Sequence, residues 1–145
     1  MKICIVIANY YPKISKDLLK GASKELKKYD IKNYKTIVAP GVFEIPVIIS
    51  RNLNSYDAFL ALGCVIKGET SHANLISEAT INALMDFSIK YKKPIGNGLI
   101  ICQNNKQAIK RSNPLMKNKG GEAARAILSV LGIIKNESKW ITPKS

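Results

Sequence analysis

Three features of the sequence predict an α/β fold in which a parallel sheet of about four strands is flanked by helices. The chain contains four short apolar runs, these runs alternate with stretches of helical periodicity, and turn or polar residues follow the runs. Each run is too short for a helix and continuous enough for a strand that is buried on both faces. Strands and helices that alternate in this way favour right-handed crossovers between parallel strands.

The apolar runs predict strands at residues 3–8, 36–39, 58–66 and 95–101. A helix is predicted after the first strand from an apolar stripe that recurs every three or four residues. The stripe consists of Leu18, Leu19, Ala22, Leu26 and Tyr29. Pro40 and Gly41 end the second strand. Residues 43–52 then predict a short helix, since Pro46 falls within its first turn, where proline is tolerated.

A longer helix is predicted after the third strand from a second apolar stripe, and Pro94 ends it before the fourth strand. This stripe consists of Leu75, Ala79, Ala83 and Phe87. Residues 112–119 predict a polar loop, and Gly120 and Gly121 open a closing helix. Residues 136–145 are expected to lie at the periphery of the fold.

The size and composition of the chain predict one globular domain over residues 1–145, since 46% of its residues are hydrophobic. No apolar run approaches the roughly 20 residues that cross a bilayer, so we expect a cytoplasmic protein without a membrane partner. The three cysteines, Cys4, Cys64 and Cys102, lie inside apolar runs and lack the spacing of a metal site. Buried, reduced thiols and no metal are therefore predicted.

The formal net charge of +13 is the one global property that suggests a nucleic-acid partner. The positive charges are almost all lysines, and they are spread over the predicted helix surfaces without aromatic or arginine-rich tracts. This pattern favours solvated helix faces and a small anionic substrate, so no nucleic-acid partner is expected.

The turn after the third predicted strand carries the only histidine of the chain, His72. Ligands of open parallel sheets bind beyond the carboxyl ends of the strands, and this turn lies at that edge. The strand ends near Gly68, and a helix that restarts around Glu69 and Thr70 leaves backbone N–H groups that can bind an anion. Histidine is the side chain best suited to move protons near neutral pH. The alternative for His72 is a solvated residue at a helix start.

Three segments occur in a specific order and spacing, namely residues 7–11 (IANYY), 39–46 (APGVFEIP) and 61–72 (ALGCVIKGETSH). Together with Arg111 and the NKGGEAA segment at residues 118–124, they closely resemble the lumazine synthase family. The resemblance implies a three-layer flavodoxin-like fold and an enzyme, a transferase of riboflavin biosynthesis. Such enzymes condense 5-amino-6-(D-ribitylamino)uracil with 3,4-dihydroxy-2-butanone 4-phosphate. The products are 6,7-dimethyl-8-ribityllumazine, phosphate and water, and neither a cofactor nor a metal is implied.

The resemblance assigns His72 as the catalytic residue that shuttles protons. It also implies a set of residues that bind the pyrimidine and its ribityl chain. In this set, Tyr10 stacks on the pyrimidine ring, and the other residues offer backbone or polar atoms. The set consists of Tyr10, Val42, Phe43, Glu44, Cys64, Val65, Ile66, Asn97 and Lys119. The Phe43 side chain is expected to face the core, and the Cys64 thiol is expected to be inert.

The resemblance assigns the butanone phosphate to Glu69, Thr70 and Arg111. The amides of Glu69 and Thr70 are expected to cradle the phosphate, while Arg111 supplies a planar fork of donors. Three departures from the family pattern concern substrate affinity. They are Asn97 in place of an aromatic residue, Tyr11 in place of a small polar residue and Lys110 in place of an acidic residue.

The resemblance also implies a homo-oligomer in which each active site lies between adjacent subunits of a ring of five. Some members of the family assemble twelve rings into a 60-subunit shell, and those often have a longer N-terminal arm. The first predicted strand begins at Ile3, so little N-terminal arm is expected. We therefore expect a pentamer. One subunit is expected to contribute Tyr10, residues 42–44 and residues 69–72, and the next subunit Asn97, Arg111 and Lys119.

Two alternatives to an enzyme remain. A protein of the same fold can bind a flavin or a lumazine without turnover, because a fold does not fix a function. A basic α/β domain can bind nucleic acid, with an affinity that falls steeply with salt. His72 and Arg111 favour the enzyme, since ring binding alone needs neither a proton shuttle nor a phosphate clamp.

Overall fold

The computed structural model describes residues 1–135, in which four strands and five α-helices form the fold. The strands are β1 (Ile3–Ala8), β2 (Tyr34–Ala39), β3 (Ala58–Ile66) and β4 (Ile95–Cys102). The helices are α1 (Pro12–Lys28), α2 (Ile45–Ser50), α3 (Ala73–Tyr91), α4 (Asn105–Ser112) and α5 (Lys119–Val130). A short 3₁₀ turn, Val42–Glu44, precedes α2. The prediction for residues 136–145 lies outside the described part of the chain.

The sheet is parallel throughout, with the strand order β2-β1-β3-β4. Successive side chains of a strand point to opposite faces, so β1 contributes to two separate cores. Ile5 and Ile7 pack with α1, α4 and α5 on one face, whereas Val6 and Ala8 pack with α2 and α3 on the other. These layers confirm the predicted three-layer flavodoxin-like α/β fold.

The predicted strands agree with the structure to within two residues at either end, and the short helix that contains Pro46 is present as α2. Helix α4 has no counterpart in the prediction, because only Ala108 and Ser112 of its eight residues are buried and no apolar stripe marks it. It is specified by its cap instead: the Asn104 side chain accepts a hydrogen bond of 2.9 Å from the Gln107 amide.

Helix α3 differs from its prediction in the face that it presents to the sheet. Its buried residues include Ser77 and Thr80, whereas Leu75 of the predicted apolar stripe is 65% exposed. The Ser77 hydroxyl donates to the Ala73 carbonyl oxygen (2.7 Å), so this polar group is satisfied within the helix. The N-terminal half of the apolar stripe of α3, Leu75 and Ala79, therefore lies on the surface of the single chain, while Phe87 at its other end packs against the core.

Candidate active site

A cavity of about 260 Å³ is formed by the segments that directly follow β1, β2 and β3. Its position at the carboxyl ends of the strands is the usual ligand site of an open parallel sheet. The residues with a predicted role that line it are Tyr10, Val42, Phe43, Glu44, Cys64, Val65, Glu69 and Thr70. The fold therefore brings most of the residues with a predicted role together in one place. The cavity is also lined by Gly41, Ser71 and Ile76, to which the resemblance assigned no role, and by Tyr11, which the sequence marked only as a departure that concerns substrate affinity.

Two adjacent tyrosines form the part of the cavity that follows β1. Helix α1 begins directly after them at Pro12, and the Ser15 hydroxyl donates to the Ala8 carbonyl oxygen (2.5 Å), which holds the helix to the strand end. The rings of Tyr10 and Tyr11 meet edge to face, with centroids 5.0 Å apart. Tyr10 is 68% exposed, so its ring is available to a flat ligand.

The turn between β2 and α2 forms another wall of the cavity. Its single 3₁₀ turn is closed by the Glu44 amide, which donates to the Gly41 carbonyl oxygen (3.3 Å). Side chains in such a turn project about 120° apart, so Val42 is buried in the core while Phe43 is 62% exposed. The expectation that Phe43 faces the core is therefore wrong, because its side chain lines the cavity.

The end of β3 supplies Cys64 and Val65 to the cavity, while Ile66 is buried. The Cys102 thiol and burial both raise the pKa of Cys64, so this thiol stays protonated and is a poor nucleophile. Burial likewise raises the pKa of Cys4 to about 11. The three cysteines are buried and free, as predicted from their apolar surroundings.

The turn that follows β3 ends at His72, and α3 begins at Ala73, later than the sequence predicted. The amides of Glu69 and Thr70 both donate to the Ile66 carbonyl oxygen (3.0 Å each), so both already have an acceptor. His72 is exposed and left-handed, with φ 57°. That conformation costs a residue with a Cβ about 1 kcal/mol or more, and such strained residues cluster at functional sites.

Arg111 lies near the end of α4, close to the carboxyl end of β4. Its Nη1 donates to the Ile101 carbonyl oxygen (2.9 Å), which fixes the guanidinium against the strand. The Cys64 thiol and Arg111 together lower the pKa of Cys102, although burial opposes them. Arg111 is thus held by one of its donors at the same edge of the sheet as the cavity.

The chain matches the family model of 6,7-dimethyl-8-ribityllumazine synthase over residues 1–135. The chain belongs to the 6,7-dimethyl-8-ribityllumazine synthase family. The predicted resemblance to lumazine synthases is thereby confirmed.

Three relatives that carry this enzyme name illustrate the similarity. The lumazine synthase of Bartonella tribocorum is 43% identical over 136 residues, which cover 92% of this chain and 89% of the relative. 6,7-Dimethyl-8-ribityllumazine synthase 1 of Rhodopseudomonas palustris is 40% identical, with 95% of this chain and 88% of the relative covered. The lumazine synthase of Buchnera aphidicola subsp. Schizaphis graminum is also 40% identical, with 94% and 89% covered.

Two residues that the resemblance to lumazine synthases assigns to the pyrimidine lie away from the cavity that contains Tyr10. Asn97 lines two other cavities beside α3, and its Oδ1 accepts a hydrogen bond of 3.1 Å from the Leu99 amide. Lys119 is the first residue of α5 and forms an ion pair with Glu122 (3.2 Å). A single chain therefore does not bring these two residues to the cavity.

Among residues 1–135, no three His, Cys, Asp or Glu side chains are arranged to hold a metal ion. Within the same part of this lumazine synthase family member, no helix has the length and apolar character needed to cross a membrane. That the protein needs no cofactor and binds no nucleic acid stays a prediction.

Proposed function

We propose that this chain condenses 5-amino-6-(D-ribitylamino)uracil with 3,4-dihydroxy-2-butanone 4-phosphate in riboflavin biosynthesis. The products are 6,7-dimethyl-8-ribityllumazine, phosphate and water. One observation carries the proposal. The chain belongs to the lumazine synthase family, and its only histidine ends the turn that lines the cavity at the carboxyl ends of the strands. The three free, buried cysteines are consistent with a reducing compartment, and we place the reaction in the cytoplasm.

The reaction needs several proton transfers and one leaving anion. The amine attacks the ketone and water is lost to form an imine; phosphate is then expelled, and ring closure releases a second water. His72 can give and take these protons because it is exposed on the turn beside the cavity. The exposed ring of Tyr10 offers a flat face to the pyrimidine, while the Val42–Glu44 turn offers backbone groups and a carboxylate to the ribityl hydroxyls.

The phosphate end of the second substrate is assigned to Arg111, Glu69 and Thr70. The amides of Glu69 and Thr70 already donate to the Ile66 carbonyl oxygen, so they would have to share these hydrogen bonds with the phosphate or release them. A guanidinium offers five N–H donors in a fixed fork, and one donor of Arg111 bonds to the Ile101 carbonyl. Glu69 is exposed, so its carboxylate can turn away from the phosphate into water.

Replacement of Arg111 by lysine is expected to raise KM for the butanone phosphate by about tenfold, because an ammonium cannot reproduce two parallel donors. KM for the pyrimidine should change by less than about twofold. Steady-state kinetics with each substrate varied in turn measure both values. Arg51→Lys is the matched control, since Arg51 is exposed at the end of α2. Equal rises for both substrates would remove Arg111 from the phosphate site.

The active site is completed by a second copy of the chain in a ring of five. Two observations support this assembly: Asn97 and Lys119 do not line the cavity, and several large apolar side chains of α3 and of α2 are exposed. The exposed side chains are Val47, Leu75, Met85 and Ile89. Exposed large apolar side chains on neighbouring helices favour a protein–protein interface. We propose a pentamer; the 60-subunit shell is the other outcome.

Replacement of Met85 by aspartate is expected to dissociate the pentamer, because a charge would be buried without a partner in an apolar interface. Met85 is 59% exposed and lies about 20 Å along α3 from His72, so the change spares the catalytic turn. Light scattering gives the mass of both proteins, and turnover should fall with the mass. Lys24→Asp on the solvated face of α1 is the control. A wild-type mass near sixty chains would replace the pentamer by the shell, and an active monomer would overturn the shared site.

The proposed reaction is tested by mixing the purified protein with both substrates and following lumazine fluorescence and inorganic phosphate together. Stoichiometric release of lumazine and phosphate over many turnovers supports the enzyme. Binding of riboflavin or lumazine without phosphate release would instead show a non-catalytic binding protein.

A further inference from the structure

The phenol of Tyr11 is the polar group of the cavity that lacks an explanation. Its ring lines the cavity, and its hydroxyl oxygen is buried. It makes no hydrogen bond of normal geometry among residues 1–135, and the Thr70 side chain is close enough only for a weak one. A buried hydroxyl without a partner destabilises a fold, and phenylalanine would fill the same space without that cost. The hydroxyl is therefore better explained by a ligand than by the packing of the chain.

The surroundings of this hydroxyl indicate what it can bind. Burial raises the pKa of Tyr11 above its ordinary value, and Glu69, Cys64 and Tyr10 add to the rise, while the nearby Thr70 hydroxyl opposes it. The phenol is consequently protonated at neutral pH and acts as a hydrogen-bond donor. It needs an acceptor oxygen on a molecule that enters the cavity.

The position of Tyr11 selects one of the two substrates. The exposed ring of Tyr10 and the Val42–Glu44 turn serve the pyrimidine and its ribityl chain. Among the groups that act on the Tyr11 hydroxyl, Thr70 and Glu69 have the largest effects, ahead of Cys64 and Tyr10. The hydroxyl therefore lies toward the side assigned to the butanone phosphate.

We propose that the Tyr11 hydroxyl donates a hydrogen bond to an oxygen of 3,4-dihydroxy-2-butanone 4-phosphate and so serves as a substrate-binding residue. The inference rests on the proposed function for the identity of this substrate. The donor, its burial and the lack of a partner are properties of this chain alone.

Calorimetric titration of Tyr11→Phe with the butanone phosphate tests the proposal without the need for turnover. We expect its Kd to rise about tenfold, as for a lost hydrogen bond to a charged or polarised oxygen. The Kd for the pyrimidine should change by less than about twofold. The melting temperature without ligand should stay the same or rise, because the variant removes an unsatisfied buried hydroxyl.

The control is Tyr56→Phe, whose ring also meets an aromatic neighbour edge to face, namely Phe59 at 5.9 Å. Tyr56 precedes β3 and so lies at the opposite edge of the sheet from the cavity. A Kd for the butanone phosphate that is unchanged in Tyr11→Phe overturns the proposal, and so does a lower melting temperature, which would reveal a structural partner. Titration with inorganic phosphate identifies the acceptor. Weaker binding of phosphate by the variant indicates a phosphate oxygen. Equal binding of phosphate together with the raised Kd for the substrate indicates the ketone or the 3-hydroxyl oxygen, and both outcomes support the proposal. Turnover is measured separately, so a failure of the proposed reaction is distinguishable from a failure of this inference.

Discussion

Replacement of His72 by asparagine is expected to lower kcat by about 10- to 1000-fold while the protein remains folded. The loss follows from the removal of the group that moves protons in imine formation and ring closure. Asparagine is the sharpest variant because it accepts the left-handed backbone that His72 adopts at φ 57°. Stopped-assay rates at saturating substrates and a melting curve measure the two effects separately.

The control for the backbone of His72 lies at the other end of the same helix. Lys92 is also left-handed, with φ 54°, and caps the C-terminus of α3. Lys92→Asn therefore repeats the conformational change at a position remote from the cavity, and it should retain the wild-type kcat. A His72→Asn enzyme that turns over at the wild-type rate would show that His72 is only a solvated residue at a helix start.

Replacement of Gly120 by alanine is expected to lower the free energy of unfolding by about 2 to 3 kcal/mol, which corresponds to roughly 10 °C in melting temperature. Gly120 lies in the first turn of α5, where a Cβ would be 2.8 Å from the carbonyl carbon of Leu18 and still closer to its oxygen. Carbon atoms in good contact are about 3.5–4.0 Å apart. Since Leu18 belongs to the middle of α1, its backbone cannot move aside without shifting the helix.

Gly68→Ala provides the matched control for stability. A Cβ at Gly68 would come no closer than 3.8 Å to the Gln103 carbonyl oxygen, an ordinary contact. Its free energy of unfolding should stay within about 0.5 kcal/mol of the wild type. Urea or thermal unfolding of both variants decides the matter. Equal stabilities would mean that α1 and α5 can separate at no cost, contrary to the close approach at Gly120.

The strands could be predicted because a strand covered on both faces must be apolar at every position, as β1 and β3 are. Helix α4 could not be predicted in this way. The Asn104 cap determines where it begins, and only two small residues of the helix are buried. The orientation of α3 could not be predicted from its apolar residues either. The Ser77 hydroxyl donates a hydrogen bond within the helix, so this polar residue can occupy the buried side.

The motifs identified most of the residues that line the cavity because these residues follow strand ends that must meet at one edge. They did not reveal the orientation of Phe43, which depends on the geometry of a 3₁₀ turn, or the orphaned hydroxyl of Tyr11, which depends on packing between neighbours. The roles of His72, Arg111, Asn97 and Lys119 stay predictions, since they depend on bound substrates and, for the last three, on another copy of the chain.

Helix α3 also bears on how this protein tolerates sequence change. The side that it turns toward its own sheet holds Ser77 and Thr80, while Leu75 and Met85 lie on the outside. In the proposed pentamer, the outer side of this helix would be buried against another subunit. Solvent exposure in one chain would then be a poor guide to the positions that accept polar residues. The fold and its assembly would be selected together, and the stability of the protein would depend on its concentration.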